Sequence, residues 1–268
     1  MKFLLTILNG GPDSEHVLKS AVTLKKALGA RLLVAHPRAP LPAAAVMAGD
    51  MGVALGAIEF TESEYSVEGA RKAFDLVCGN DPTCRFRETQ MTPYETLRKF
   101  TLFSDLVVLA RDEGLGDSSV VQLKDSLVAN EMPTVWLPPE TVAAAPRTVV
   151  CVWNGQAPSA RAIRAAQPFL ARAERVVVIE YAGNEVNHSR LEKYLDAYGL
   201  KVSAWRPYGD AGLSARARAR ALMAEAKSAG ADLLVMGAYG EMVESFFSFG
   251  RATEKVAEAA TVPVLFHN

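Results

Sequence analysis

Cysteine is scarce in this chain. It occurs three times in 268 residues, as Cys78, Cys84 and Cys151, too few and too unevenly spaced for a disulfide framework or a zinc site, although Cys78 and Cys84 are near enough in sequence to pair. Histidine is nearly as rare: His16, His36, His188 and His267 stand singly and form no metal-binding spacing. His36 and His267 fall at strand ends, where a turn or surface role is expected. Charge of one sign is lacking too, since 29 Lys and Arg face 30 Asp and Glu for a formal charge of −1, so no nucleic-acid partner is expected. No apolar run reaches the roughly 18 residues of a membrane helix, and no membrane partner is expected either. The opening Met1 to Leu8 carries one lysine and a short apolar run that ends at Asn9, Gly10 and Gly11, and it reads as a first strand, not a signal peptide. A cytoplasmic location is the simplest reading. There is no Gly-x-Ser-x-Gly elbow and no Cys–His pairing, so no residue is nominated as catalytic and none as a metal ligand.

What is present is apolar residue in quantity, 50% of the chain, which suits one or two globular domains with ample core. The chain also repeats itself. Phe3 to Gly10 aligns with Thr148 to Gly155, and Gly29 to His36 with Ala173 to Glu180. Ser104 to Ala110 aligns with Ala231 to Gly237, and each copy closes on a proline-led strand beginning at Pro133 or Pro263.

Each half reads as strand, helix, strand, helix, strand, strand, helix, strand. Apolar runs of four to six residues fit buried parallel strands, and Glu15 to Leu28 and Ser159 to Ala171 have helical periodicity. The predicted fold is α/β: two tandem doubly wound domains with mainly parallel five-stranded sheets, packed as an internal pseudo-dimer. The predicted domains are 1–140 and 146–268, joined by the proline- and alanine-rich stretch Pro138 to Pro146. The first copy carries an insertion at 37–60, read as a mobile connection in preference to a lid or a partner surface.

The end of the chain holds the main functional signal. A strand from Asp232 runs into Gly237, Gly240 follows after two residues and Gly250 after nine more, and then come Arg251, Ala252 and Thr253. Glycines without Cβ atoms let backbone lie against phosphate oxygens, and a helix opening at Gly250 offers unpaired N–H groups and a partial positive charge. The bland alternative is architectural: a glycine after a strand serves a tight turn, and one before a helix relieves crowding.

This glycine spacing, the strand before it and the closing Val262-Pro263-Val264-Leu265 together resemble the universal stress proteins in their tandem form. The resemblance covers nearly the whole chain. It implies a phosphate loop made of Gly237, Gly240, Gly250, Arg251, Ala252 and Thr253, with ATP or another adenine nucleotide as ligand and Mg only if ATP is bound. It also implies a nucleoside contact at Asn154, where the family usually has Asp, and an adenine contact, mostly through backbone, around Tyr181. Arg251 stands where the family motif has Ser or Thr. It either pairs with a β- or γ-phosphate or fills the groove as a plug, and Thr253 is placed to supply the lost hydroxyl.

The first half lacks this pattern. Ala110 occupies the place of Gly237, no glycine precedes the following helix, and Asp112 and Glu113 would face any phosphate there. This copy is read as a degenerate structural partner. A competing signal, Asn9 to Ser14, resembles the pyrophosphate loop of ATP pyrophosphatases; the plain alternative is a Gly-Gly turn with Pro12 and Asp13 starting a helix. Arg216, Arg218 and Arg220 lie two apart, so on a helix they spread around it and do not form an anion patch. Phe246, Phe247 and Phe249 either cap the core or cover a base or an oligomer contact. The expected function is a stress-response regulator that binds an adenine nucleotide in its second half and at most hydrolyses it slowly. It would meet an unidentified protein partner and be a monomeric pseudo-dimer or a homodimer. The alternative is a ligand-independent scaffold of the same fold.

Overall fold

The structure is a computed structural model that describes residues 1–38, 66–111, 117–139, 141–181, 185–208, 213–238 and 251–268. The 37–60 insertion therefore lies outside the described residues from residue 39 onward.

Strands and helices alternate throughout. The first half runs β1 (Phe3–Ile7), α1 (Ser14–Leu28), β2 (Arg31–Pro37), α2 (Val67–Val77), β3 (Cys84–Thr89), α3 (Pro93–Phe100), β4 (Leu106–Ala110), α4 (Asp117–Lys124) and β5 (Thr134–Leu137). The second half runs β6 (Thr148–Trp153), α5 (Ala157–Leu170), β7 (Arg175–Tyr181), α6 (Glu185–Ala197), β8 (Ala204–Tyr208), α7 (Ala215–Ser228), β9 (Leu233–Gly237), α8 (Arg251–Ala259) and β10 (Val264–His267). Local chemistry sets several boundaries. Gly29, at φ +62°, ends α1 in the left-handed conformation and returns its N–H to the carbonyls of Lys25 and Lys26. Thr92 and Glu95 form a reciprocal capping box with Pro93 in the first turn of α3. The Ser214 hydroxyl caps α7 at Ala217 N.

The sequence pattern placed two strands in succession in the middle of each half, and the structure corrects this: α3 and α7 stand between them. The sheet order explains why. Strand order in the first half is β3-β2-β1-β4-β5 and in the second β8-β7-β6-β9-β10, so the chain must pass from an outer strand across two others to reach a parallel neighbour, which a crossover helix accomplishes. In α7 the three arginines sit as spread charges. Arg216 and Arg220 are exposed and Arg218 is half-buried, while Ala219, Leu222, Met223 and Ala226 face the core.

The halves do not keep separate sheets. β5 and β10 pair antiparallel, with Val264 opposite Trp136 and Phe266 opposite Thr134, so one ten-stranded sheet runs through the molecule and every other pairing is parallel. Residues alternate between its faces. Val149 and Cys151 belong to a core under α1, α2, α5 and α6, while Val150 and Val152 belong to a second core under α3, α4, α7 and α8. Side chains cross between the halves: Trp136 Nε1 donates to the Ala257 carbonyl at 3.0 Å, and Arg111 donates to the carbonyl of Glu258. The segment after β5 is tied to α1, because the amide of Ala143 donates to Ser20 Oγ at 2.9 Å. No helix among the described residues is long and apolar enough to cross a membrane.

His36 departs from its expected surface role. It is fully buried, its Nδ1 lies 2.8 Å from the Leu8 carbonyl, and burial pulls its pKa below the ordinary value. His36 is the next-to-last residue of β2 and lies in the interior, which strand position alone does not reveal.

Candidate functional site

In each half the first and fourth strands are neighbours but send their chains to opposite faces. β1 leads into α1 over one core, and β4 is followed by α4 over the other. In the second half β6 leads into α5, whose Ala162, Ile163 and Phe169 lie in the first core, while β9 is followed by α8, whose Val256 and Ala257 lie in the second. Such topological switch points open a crevice at the carboxyl ends of the strands, where ligands of open α/β sheets bind.

At the second-half switch point the structure brings together Asn154, Gly237 and the first turn of α5. Asn154 follows β6 and is exposed. Its Oδ1 accepts from the Gln156 amide at 3.1 Å and from Ser159 Oγ at 2.7 Å, a local turn that fixes the entry to α5. An aspartate could serve this turn with one oxygen and keep a second acceptor. Asparagine keeps the turn and carries an amide donor instead.

Gly237 ends β9 beside β10, and the next amide, Ala238 N, donates to the His267 carbonyl at 2.7 Å. A Cβ on Gly237 would lie 2.5 Å from Ser159 N and 2.6 Å from Pro158 C. The absent side chain is thus filled by the first turn of α5, an architectural demand that glycine spacing alone does not disclose. Thr253, in the first turn of α8, is 3% exposed. Arg251 and Ala252 open α8 and Tyr181 closes β7, but their side chains, like Gly240, Gly250, Phe246, Phe247 and Phe249, lie outside the described residues.

A separate cavity of about 200 Å³ opens between α5 and α6, lined by Trp153, Ile163, Leu191 and Tyr194 with Arg164 and Arg190. On the same side of the sheet His188 is not isolated: its Nδ1 is 2.6 Å from Glu180 Oε2, and its ring lies 3.8 Å from that of Trp205. Glu180 is eight residues from His188 in sequence, across a strand-to-helix connection, so neither helical nor strand spacing signals the pair.

The first-half switch point is nearly closed. The space between the ends of β1 and β4, bounded by Leu8, Asn9, Asp13, Ala110 and Ser119, is about 20 Å³, room for about one water. Asp112 and Glu113 lie outside the described residues. The pyrophosphate-loop resemblance of Asn9 to Ser14 fails on geometry. Gly10 has φ +88°, and a Cβ there would lie 1.8 Å from the Ser66 carbonyl oxygen. The Ser66 amide donates to the Asn9 carbonyl at 2.8 Å, and a Cβ on Gly69 would in turn meet the Gly10 carbonyl oxygen at 2.2 Å. The glycine therefore accommodates the start of α2, and the backbone face a pyrophosphate would need is occupied by protein.

A sheet with matching strand order in its two halves, a switch point in each, and an antiparallel seam between them defines a tandem doubly wound α/β protein. Residues 215–266 match the model of the universal stress protein family. That segment, from α7 to β10, is similar to the family, and the chain as a whole has the fold of universal stress proteins. A universal stress protein from Archaeoglobus fulgidus DSM 4304 superposes with a TM-score of 0.69 at 12% identity, covering 99% of this chain and 98% of that one. A candidate universal stress protein from Pseudomonas aeruginosa UCBPP-PA14 gives 0.61 at 12% identity, covering 100% and 93%. The fold is also similar to the cytoplasmic domain of a prokaryotic cation chloride cotransporter, with a TM-score of 0.53 at 9% identity over 99% and 94%. No curated protein matches the sequence.

Proposed function

We propose that this chain is a stress-response regulatory protein that binds ATP or a related adenine nucleotide in its second half, with at most slow hydrolysis. The observation that carries this reading is the glycine series that follows β9 at a topological switch point and ends where α8 begins. Backbone amides from Gly240 and Gly250 through Arg251, Ala252 and Thr253 hold the phosphates, aided by the positive end of the helix dipole. Gly237 lets α5 sit low enough to shape the crevice wall. Asn154 meets the nucleoside through its amide donor, and Tyr181 backs the adenine through its main chain. Mg accompanies the nucleotide only if it is ATP. The domains are 1–140, a degenerate structural partner, and 146–268, the nucleotide domain. The protein works in the cytoplasm as a monomeric pseudo-dimer or a homodimer, and the bound state alters its affinity for a protein partner.

The test is equilibrium binding of labelled ATP to the wild type and to Gly240→Val, with native mass spectrometry of the freshly purified protein. Saturable binding by the wild type alone, with co-purified nucleotide, is the expected result. Equal signal from both proteins, or none from either, removes the nucleotide.

A ligand-independent scaffold is favoured by one separate observation. Leu102 and Phe103, consecutive in the turn after α3, are 73% and 86% exposed, an apolar pair that fits a protein contact better than solvent. A clean apo mass together with loss of partner capture in Phe103→Asp would support this reading over the first.

A further inference from the structure

Beneath the exposed turn from Gly79 to Thr83 lies a cluster that nucleotide binding does not use. Cys78 caps the C-terminus of α2. The amide of Asp81 donates to the Cys78 carbonyl and that of Cys84 to the Asp81 carbonyl, each at 3.0 Å, so two successive turns fold Cys84 back onto Cys78. Both are free, buried thiols of the same core cluster, and Cys84 is close enough to act on the Cys78 thiol. Lys25 enters the same space from α1. It is 3% exposed, and its Nζ donates to the Asp81 carboxylate, to Thr83 Oγ1 at 2.6 Å and to Cys84 Sγ at 3.4 Å.

The two sulfurs are not equivalent. Cys84 has the Lys25 ammonium 3.4 Å from its sulfur. Burial and the neighbouring Cys84 push the Cys78 thiol up to about 12, so Cys78 keeps its proton. Cys151 serves as an internal contrast. It lies in the middle of β6, and burial alone pushes it up to about 12. Access to the pair is local, since Gly79, Asn80 and Pro82 are exposed and β3 is the outermost strand of the sheet.

We propose that Cys84 and Cys78 form a peroxide-sensitive dithiol, in which a hydroperoxide oxidises Cys84 and Cys78 resolves the product to a disulfide. The Cys84 sulfur attacks the terminal oxygen of the hydroperoxide; the S–O bond forms, the O–O bond breaks, and the alkoxide or hydroxide leaves as alcohol or water with the proton that Cys84 gives up. The Cys78 sulfur then attacks the Cys84 sulfenic acid. The S–S bond forms, the S–O bond breaks, and water leaves with the Cys78 proton. Two thiols are oxidised to one disulfide while one hydroperoxide is reduced. The product removes the Lys25–Cys84 contact and ties the end of α2 to the first residue of β3.

The experiment treats the folded protein with hydrogen peroxide, with and without dimedone, and digests it with trypsin, which releases both cysteines on the single peptide Ala73 to Arg85. The expected result for the wild type is loss of two hydrogens from that peptide, reversed by a dithiol reductant, with Cys151 untouched. Cys78→Ser should accumulate a dimedone adduct on Cys84, and Cys84→Ser should leave Cys78 unmodified. The proposal is overturned if the native wild-type peptide keeps both thiols, if Cys78 in Cys84→Ser is labelled as fast as Cys84 in Cys78→Ser, or if Cys151 reacts as fast as Cys84. The wild-type measurement needs no variant to fold, and circular dichroism after oxidation verifies that the native state was tested.

Discussion

Asp105 and Asp232 hold the same post in the two halves. Each stands one residue before its half's fourth strand, and each uses Oδ2 to bind the two backbone amides at the start of that half's first strand. For Asp105 these are Lys2 N at 2.6 Å and Phe3 N at 2.9 Å; for Asp232 they are Arg147 N at 3.0 Å and Thr148 N at 2.8 Å. Burial acts to raise the Asp105 pKa, but the two amides outweigh it and hold the carboxyl below its usual range. The Asp105 contribution to stability is therefore present above the ordinary carboxylate pKa and is lost as pH falls below it. Asp105→Ala and Asp232→Ala should each lower unfolding free energy by about 1–2 kcal/mol, the low end for backbone amides bonded to a partly exposed carboxylate. Urea denaturation at neutral pH checks this, and unchanged midpoints in both variants would show that the shared post is not energetic.

Gly237→Ala should destabilise by about 1–3 kcal/mol, because the new methyl must displace the backbone of Pro158 and Ser159 at the head of α5. Ala110→Gly, at the corresponding place in the first half, should cost no more than about 1 kcal/mol, from backbone entropy. Thermal melts of the two variants decide the point. If Gly237→Ala melts like the wild type, α5 is not seated on β9 as described.

Stability should decline as pH falls below the ordinary histidine value of 6.5. Burial lowers the folded-state pKa of His36, although the Leu8 carbonyl acts to raise it, and burial lowers that of His267 too, with Arg161 and Arg164 acting in the same direction. The unfolded chain then takes up protons that the folded one refuses. The loss begins near the unfolded value and stops growing once pH passes below the folded one. Melting temperatures between about pH 7 and about pH 5 should fall more steeply for the wild type than for His36→Asn. Parallel slopes would exclude His36 as a source.

Trp136→Phe should cost about 2 kcal/mol, from a buried carbonyl of Ala257 left without its donor and from lost ring volume at the seam. Arg111→Ala, which touches the neighbouring carbonyl of Glu258 from a less buried position, should cost less. Guanidinium denaturation of both variants measures the difference, and reversal of this ranking would contradict the placement of the seam beneath Trp136.

Much of the fold was legible because its signals are local. Four- to six-residue apolar runs marked the strands, and the match of Ser104-Asp105 to Ala231-Asp232 marked the repeat. The helix between the third and fourth strands of each half escaped this reading. α3 is only eight residues long, and the alternating Arg and Ala of α7 read as a solvated helix that the element order of the half does not include, although its later turns carry the buried face. The site was legible as a glycine spacing but not as a geometry. Gly237 and Gly10 carry the same sequence signal, freedom from a Cβ, and in both cases the space is taken by another backbone, Ser159 or Ser66. Nor did sequence show that Asn154 spends its acceptor on Ser159.

The sequence by itself determined most of the strands and helices, the duplication, and the family resemblance, because hydrophobic period, capping residues and glycine placement act between residues close along the chain. The tertiary structure alone decided that the two sheets become one through β5 and β10, that His36 belongs to the core, and that Lys25 meets Cys84. Each of these joins residues far apart in the chain, and their contact depends on how the strands are ordered across the sheet.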